Sequence, residues 1–456
     1  MTALGLVLTL FFTGMVVFLS RPWAALGLIS AVCYVTQGQV IDIGGMNFTL
    51  VRIILLAGFL RVLVRGEFRE LTLNPIDQSL IVFMTVSTIA YIASRGTSGA
   101  LVFQLGSCYN VLFSYFLFRC LIRNGQDLQM LLSPLAWLLV PLMVFMVLEA
   151  MTGKNVFTIF GGLPDIPVFR SGYYRAQGPF RNAITAGVLG ATLMPLFVTH
   201  YFQTHQRKVP LVGFIAATVI TLACGSSGPL LAYLIGLMAL VLWPWRNHLR
   251  FFRWSLLLVL ISLHFFMKAP VWYLFTRMSD VMGGSGWHRA FLIDQAINHF
   301  DSWWLAGTDN TGSWIPYQLE IDGSADITNQ FLVAGVRSGV FAIMLLILVF
   351  IRCFKNIGLA IQQAEEKSQP GEKLLWGLGC SLVITIVNFL SVAYFDQIEE
   401  IFYLQLAVIS SVAFHIFEGA QEPLSCAAAT VGLNHPNAME GHLLSGKRDV
   451  SVMNRC

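Results

Sequence analysis

Charge is the scarcest commodity in this sequence. Only 11% of its 456 residues are Asp, Glu, Lys or Arg, against roughly 25% in a water-soluble domain. With 56% hydrophobic residues and a mean hydropathy of +0.70, one soluble core is excluded and a polytopic membrane protein is expected. The net charge of +4 is small for the length, so nucleic acid is not an expected partner. Eight cysteines are scattered without a CxxC or a Cys/His cluster, which argues against a disulfide framework and a zinc site. No basic residue precedes the first apolar run and no small-x-small cleavage pattern follows it. That stretch, up to Arg21, reads as a first transmembrane helix with its N-terminus outside rather than as a signal peptide. The alternating pattern of an outer-membrane barrel is also missing, which leaves an all-α fold. Heptads, internal repeats and a soluble domain are absent as well.

What the sequence does contain is a series of runs long enough to cross a bilayer. They fall at 3–20, 23–37, 46–64, 78–95, 99–119, 130–151, 183–202, 210–225, 228–244, 251–268, 330–351, 374–394 and 399–417, about thirteen spans at roughly 20 residues each. Every second short connection is basic: Arg61, Arg65 and Arg69; Arg119 and Arg123; Arg207 and Lys208; Arg246, Arg250 and Arg253; Lys355, Lys367 and Lys373. The intervening ones, such as QGQVIDIGG and FDQIEE, are neutral or acidic. This alternation places the basic loops in the cytoplasm. The expected layout is N-terminal helices over 1–151, a core over 152–351, C-terminal helices over 352–417 and a disordered cytoplasmic tail over 418–456. Two long polar loops, 152–182 and 269–328, fall outside.

The second loop holds Trp272, Trp287, Trp303, Trp304 and Trp314, too many large rings for a solvated linker, and is expected to fold. Its tryptophans suit either an interfacial belt or a wall on which sugars stack. The first loop gathers Arg170, Arg175 and Arg181 next to Asn182 and an apolar helix. Guanidinium forks beside a helix N-terminus suit a phosphate; contact with lipid headgroups is the plainer reading.

In this first loop, Arg175-Ala-Gln-Gly178-Pro-Phe180-Arg-Asn182 resembles the R-x-x-G-x-F-x-x-N segment of the O-antigen ligase and polymerase superfamily. Trp287-His288-Arg289 with Leu292-Ile293-Asp294, then Trp303-Trp304-Leu305-Ala306-Gly307, is similar to that family's large periplasmic loop. Asp326-Ile-Thr328-Asn329, nine residues ahead of Gly339, is similar to its H-N-x9-G segment. The resemblance covers roughly 140–350. It implies transfer of a glycan from an undecaprenyl-diphosphate-linked donor to a glycan or lipid-linked acceptor, on the periplasmic face of a bacterial inner membrane. No metal or other cofactor is implied, and chain-length regulators or export proteins are conceivable partners. Two departures stand out. Thr328 occupies a usual histidine position, and Ser226-Ser227-Gly228-Pro229 replaces a Ser-Arg-Gly. Both favour a polymerase-like or exopolysaccharide member over a lipid A-core ligase.

Such chemistry needs cations for the leaving diphosphate, a base for the acceptor hydroxyl and exclusion of bulk water. Arg289 and Arg175 are the candidates for the first. Arg289 has the alternative of pairing with Asp294 or a lipid phosphate. Asp326, or else His288, is the candidate base, although Asp326 also stands where a helix N-cap is expected. Asn329 either contacts substrate, holds Asp326 or belongs to that cap. Arg337, about 12 Å into its run, lines a carrier-lipid groove, snorkels, or pairs with Asp396, Glu399 or Glu400. Two rival classes remain open: a transporter or flippase for a lipid-linked sugar or other solute, and a non-catalytic subunit of a polysaccharide-assembly complex.

Overall fold

Helix boundaries follow local capping chemistry. The Thr2 hydroxyl accepts from Gly5 N and starts α1, Ala3–Phe18. Asn74 and Asp77 form a reciprocal capping box at the head of α4, Pro75–Arg95. Gly96 and Gly153 take left-handed backbone conformations at the ends of α4 and α7, Gly125–Thr152. Between them run α2, Arg21–Tyr34, α3, Leu50–Val64, α5, Ser98–Cys108, and α6, Ser114–Leu121. A π-turn over Tyr109–Phe113 joins α5 to α6.

The computed structural model describes residues 2–418 except 37, 44–45, 171, 278–285, 315–323 and 368–370. Apart from Glu418, the last residue of the final helix, the tail expected to be disordered lies outside the described residues. Further helices are α8, Ala183–Tyr201, α9, Lys208–Ala223, α10, Ser227–Val241, α11, Leu249–Phe266, α12, Gly286–Asn298, and α13, Phe300–Trp303. They are followed by α14, Gln330–Ser338, α15, Val340–Glu366, α16, Glu372–Phe389, and α17, Gln397–Glu418. The expected all-α class is met: the chain is mostly helical, and the strands among the described residues form two short hairpins. These pair Val40–Ile43 with Met46–Thr49, and Phe169–Arg170 with Tyr173–Tyr174.

Among the described residues, seven helices are long and apolar enough to cross a membrane, with Ser98–Leu121 and Trp243–Phe266 each counted as one. Ala3–Phe18, Lys208–Ala223 and Ser227–Val241 are apolar but shorter. These features are compatible with a multi-pass membrane protein.

Helix α8 is the centre of the bundle: 16 of its 19 residues are buried, as expected of a helix apolar all round. Small residues bring its neighbours close. A Cβ on Gly190 would strike the Ala217 carbonyl of α9, and one on Gly187 would strike Cys224. At the opposite extreme, α11 has no buried residue along its 18 positions.

Two of the expected runs are interrupted. Residues 46–49, the start of the third run, are a strand. The run 330–351 is broken at Gly339, whose φ of 86° and ψ of 171° separate α14 from α15. That conformation is essentially restricted to glycine, and uniform hydropathy conceals it.

Candidate functional site

The chain leaves α7 at Gly153 and is folded back by Glu149, a buried carboxylate one turn from the end of that helix. Its two oxygens accept from Gln177 N at 3.1 Å and Gly178 N at 2.8 Å. Asn155 Nδ2 donates to the Gly178 carbonyl at 2.8 Å, and Gln397 Nε2 to that of Pro179 at 3.0 Å. Phe180 is fully buried beneath them. The Arg175–Asn182 segment is thus held by the ends of α7 and α17. Glu149 is the one ionisable residue in its apolar run, the kind of residue that signals a specific role, and sequence reasoning passed over it.

Tethered in this way, Arg175 meets the turn between α9 and α10. Ala176 N donates to the Ala223 carbonyl at 3.1 Å, and Arg175 Nε to that of Cys224 at 3.3 Å. A Cβ on Gly225 would lie 3.2 Å from the Arg175 side chain. Arg289 lies near the start of α10 as well. Its Nε donates to the Ser391 carbonyl at 3.3 Å, and a Cβ on Gly228 would lie 3.7 Å from its Nη2. Arg170, exposed on the second hairpin, acts electrostatically on both.

Two guanidinium groups therefore approach the Cys224–Gly228 turn, with Arg170 acting electrostatically on both, and no carboxylate pairs with Arg170, Arg175 or Arg289 at ion-pair distance among the described residues. Burial, followed by the like charge of Arg170, lowers the pKa of Arg289. Burial likewise leads the lowering at Arg175, where Arg170 adds to it and Cys224 opposes it. The turn is also the start of α10, whose Ser226 N-cap makes no side-chain capping bond. Helix N–H groups and guanidinium groups thus favour the same kind of guest, an anion. The Ser226-Ser227-Gly228-Pro229 stretch carries no arginine of its own, and Arg175 and Arg289 approach it from distant parts of the chain.

Asp294 is not the partner of Arg289. It accepts from Trp272 Nε1 at 2.7 Å and from the Tyr273 hydroxyl. His288, buried on α12, interacts with both the backbone and the carboxylate of Asp326. Burial lowers the His288 pKa, with Arg289 adding to it and Asp326 opposing. Asp326 sits at the exposed rim, yet neighbouring protein displaces enough water to raise its pKa, with His288 opposing. Asp326 is not the helix cap: Asn329 Oδ1 accepts from Phe331 N at 3.0 Å and Leu332 N at 3.2 Å.

The other sequence candidates lie elsewhere. Arg181 is exposed and pairs with Asp396 at 3.5 Å. Asn182 occupies the N-cap of α8 without a side-chain capping bond. Trp304 is exposed, and its carbonyl accepts from Val340 N at the Gly339 break. Trp303 and Trp314 are buried, Trp314 stacked on His299 with ring centroids 4.8 Å apart. Arg337 makes no ion pair with Asp396, Glu399 or Glu400; its guanidinium lies 5.8 Å from the Phe103 ring. Among the described residues no His, Cys, Asp or Glu cluster is suited to a metal. No family model and no curated protein matches the chain.

Proposed function

We propose that this chain transfers or polymerises a glycan from a polyprenyl-diphosphate-linked donor onto a hydroxyl acceptor. In this reading the chain crosses an inner membrane about thirteen times, with both long loops and the arginine cluster on the external face. The observation that carries the proposal is the approach of Arg175 and Arg289, from two separate loops, to one turn at the head of α10.

The diphosphate binds against Arg170, Arg175 and Arg289. As the anomeric C–O bond breaks, its electron pair passes to the diphosphate oxygen, where Arg175 and Arg289 meet the growing charge. The acceptor oxygen forms the new bond to the anomeric carbon. Its proton passes to the Asp326 carboxylate, whose raised pKa makes it a stronger base than an ordinary aspartate. His288 acts electrostatically on Asp326, and the buried rings around α12 limit access of water.

Arg175→Ala and Arg289→Ala should each lower the rate of product formation about 100- to 1,000-fold, as expected for loss of one transition-state donor. Protein level and membrane insertion should stay normal. Purified protein supplied with a lipid-diphosphate glycan, followed by mass spectrometry of the products, measures this; full activity in both variants refutes the reading. Solute transport gains support from one feature, the broken helix at Gly339. Sealed vesicles that move a lipid-linked sugar without making a new glycosidic bond would establish it instead.

A further inference from the structure

A second pair of arginines lies at the end of α4, linked to the first cluster by none of the interactions described above. Arg95 closes α4 and donates to the carbonyls of Thr308 at 3.0 Å and Arg337 at 3.3 Å. Ser338 Oγ donates to the Ser87 carbonyl at 3.2 Å, and Arg352 Nη1 to that of Pro75 at 3.0 Å. Helices α4 and α15 therefore run antiparallel, and Arg95 and Arg337 share one end of the bundle. The two guanidinium groups repel each other electrostatically. Asp309 acts on Arg95 and Glu399 is acted on by Arg337, but neither acid reaches ion-pair distance among the described residues.

Both cations ride on aromatic rings. Arg95 sits 3.8 Å over Tyr91 and Arg337 lies 5.8 Å from Phe103, and the two rings are stacked with centroids 5.4 Å apart. Phe103 is 50% exposed, and apolar surface continues from it along α5 through Leu101, Val102 and Leu105. Phe341 and Met344 provide a second exposed apolar face on α15. Two cations thus stand at one end of helices that are apolar enough to cross a bilayer.

We infer that Arg95 and Arg337, with the Tyr91–Phe103 stack beneath them, bind the phosphate of an anionic membrane phospholipid whose acyl chains lie along α5 and α15. Charge complementarity selects the headgroup, and the exposed apolar side chains select a lipid over a free ion. Rings at headgroup depth hold the guanidinium groups level with the phosphates. The site is independent of sugar transfer and stands whether or not that reading holds.

Photo-crosslinking tests it. The full chain is placed in phosphatidylcholine nanodiscs doped with a diazirine-bearing phosphatidylglycerol, and labelled peptides are mapped by mass spectrometry. Label should appear on the segments around 101–105 and 341–344. Arg337→Gln and Arg95→Gln should each reduce it about five- to tenfold, the loss of one charge-assisted hydrogen bond. Arg337→Lys should recover part of that loss, and labelling of the lipid-exposed α11 should stay constant in every variant. Arg337→Gln keeps the carbonyl contacts of Arg95, so it separates binding from folding. Equal labelling in both glutamine variants would overturn the inference. So would equal labelling by a diazirine-bearing phosphatidylcholine, or displacement of the lipid by inorganic phosphate at matched phosphate concentration.

Discussion

Asp326 and Asn329 stand three residues apart, and the structure gives the capping role to Asn329 alone. Both are good capping residues, so composition alone leaves the cap ambiguous. The backbone decides: Asn329, at φ −143° and ψ 115°, is the last extended residue before α14, and a cap must hold that position to reach the first free N–H groups. Asn329→Ala should therefore cost about 1 kcal/mol of stability, whereas Asp326→Asn should cost none. The sign for Asp326 follows from its raised pKa. The folded state binds its proton more readily than the unfolded chain does. Stability from this group is therefore greatest below its ordinary value of 3.8 and declines as pH rises through the folded pKa. Asp326→Asn should consequently melt at or above the wild-type temperature at neutral pH while losing product formation. A lowered melting temperature with activity retained would assign Asp326 to structure.

At the scale of elements, the third and eleventh apolar runs mislead for the same reason. Hydropathy measures how well a stretch dissolves in lipid, and it is blind to backbone conformation. Gly339 is the informative case. A Cβ there would strike the Leu305 carbonyl, and the φ/ψ pair is one that other residues avoid. Gly339→Ala should cost about 1–3 kcal/mol from backbone strain alone, with more from the clash. Thermal unfolding in detergent would measure it. An unchanged melting temperature would mean that the break is not a fixed feature. The arginine segments were easier to read, because a charge within a long apolar sequence is conspicuous. Their anchor, Glu149, was harder. It works through backbone N–H groups of Gln177 and Gly178, and residues 28 and 29 positions apart leave no local periodicity.

At the scale of the whole molecule, the helical class and the apolar spans follow from composition, because lipid permits few other ways to satisfy a backbone. The approach of Arg175 and Arg289 to one turn has no such signature: it depends on how α9, α10 and α12 come together, and no linear pattern encodes that. The arrangement has one mechanical consequence. Helix α11, about 27 Å long at 1.5 Å per residue, has no buried residue, so under the proposed membrane topology the bilayer rather than neighbouring protein would set its tilt. It leads directly to Trp272 and Tyr273, which clasp Asp294 on the helix that carries Arg289. Reconstitution in lipids of graded acyl length should therefore shift the rate of product formation, and Asp294→Ala should flatten that response. The arginine cluster would then sit on a lever whose fulcrum is protein and whose free arm floats in hydrocarbon.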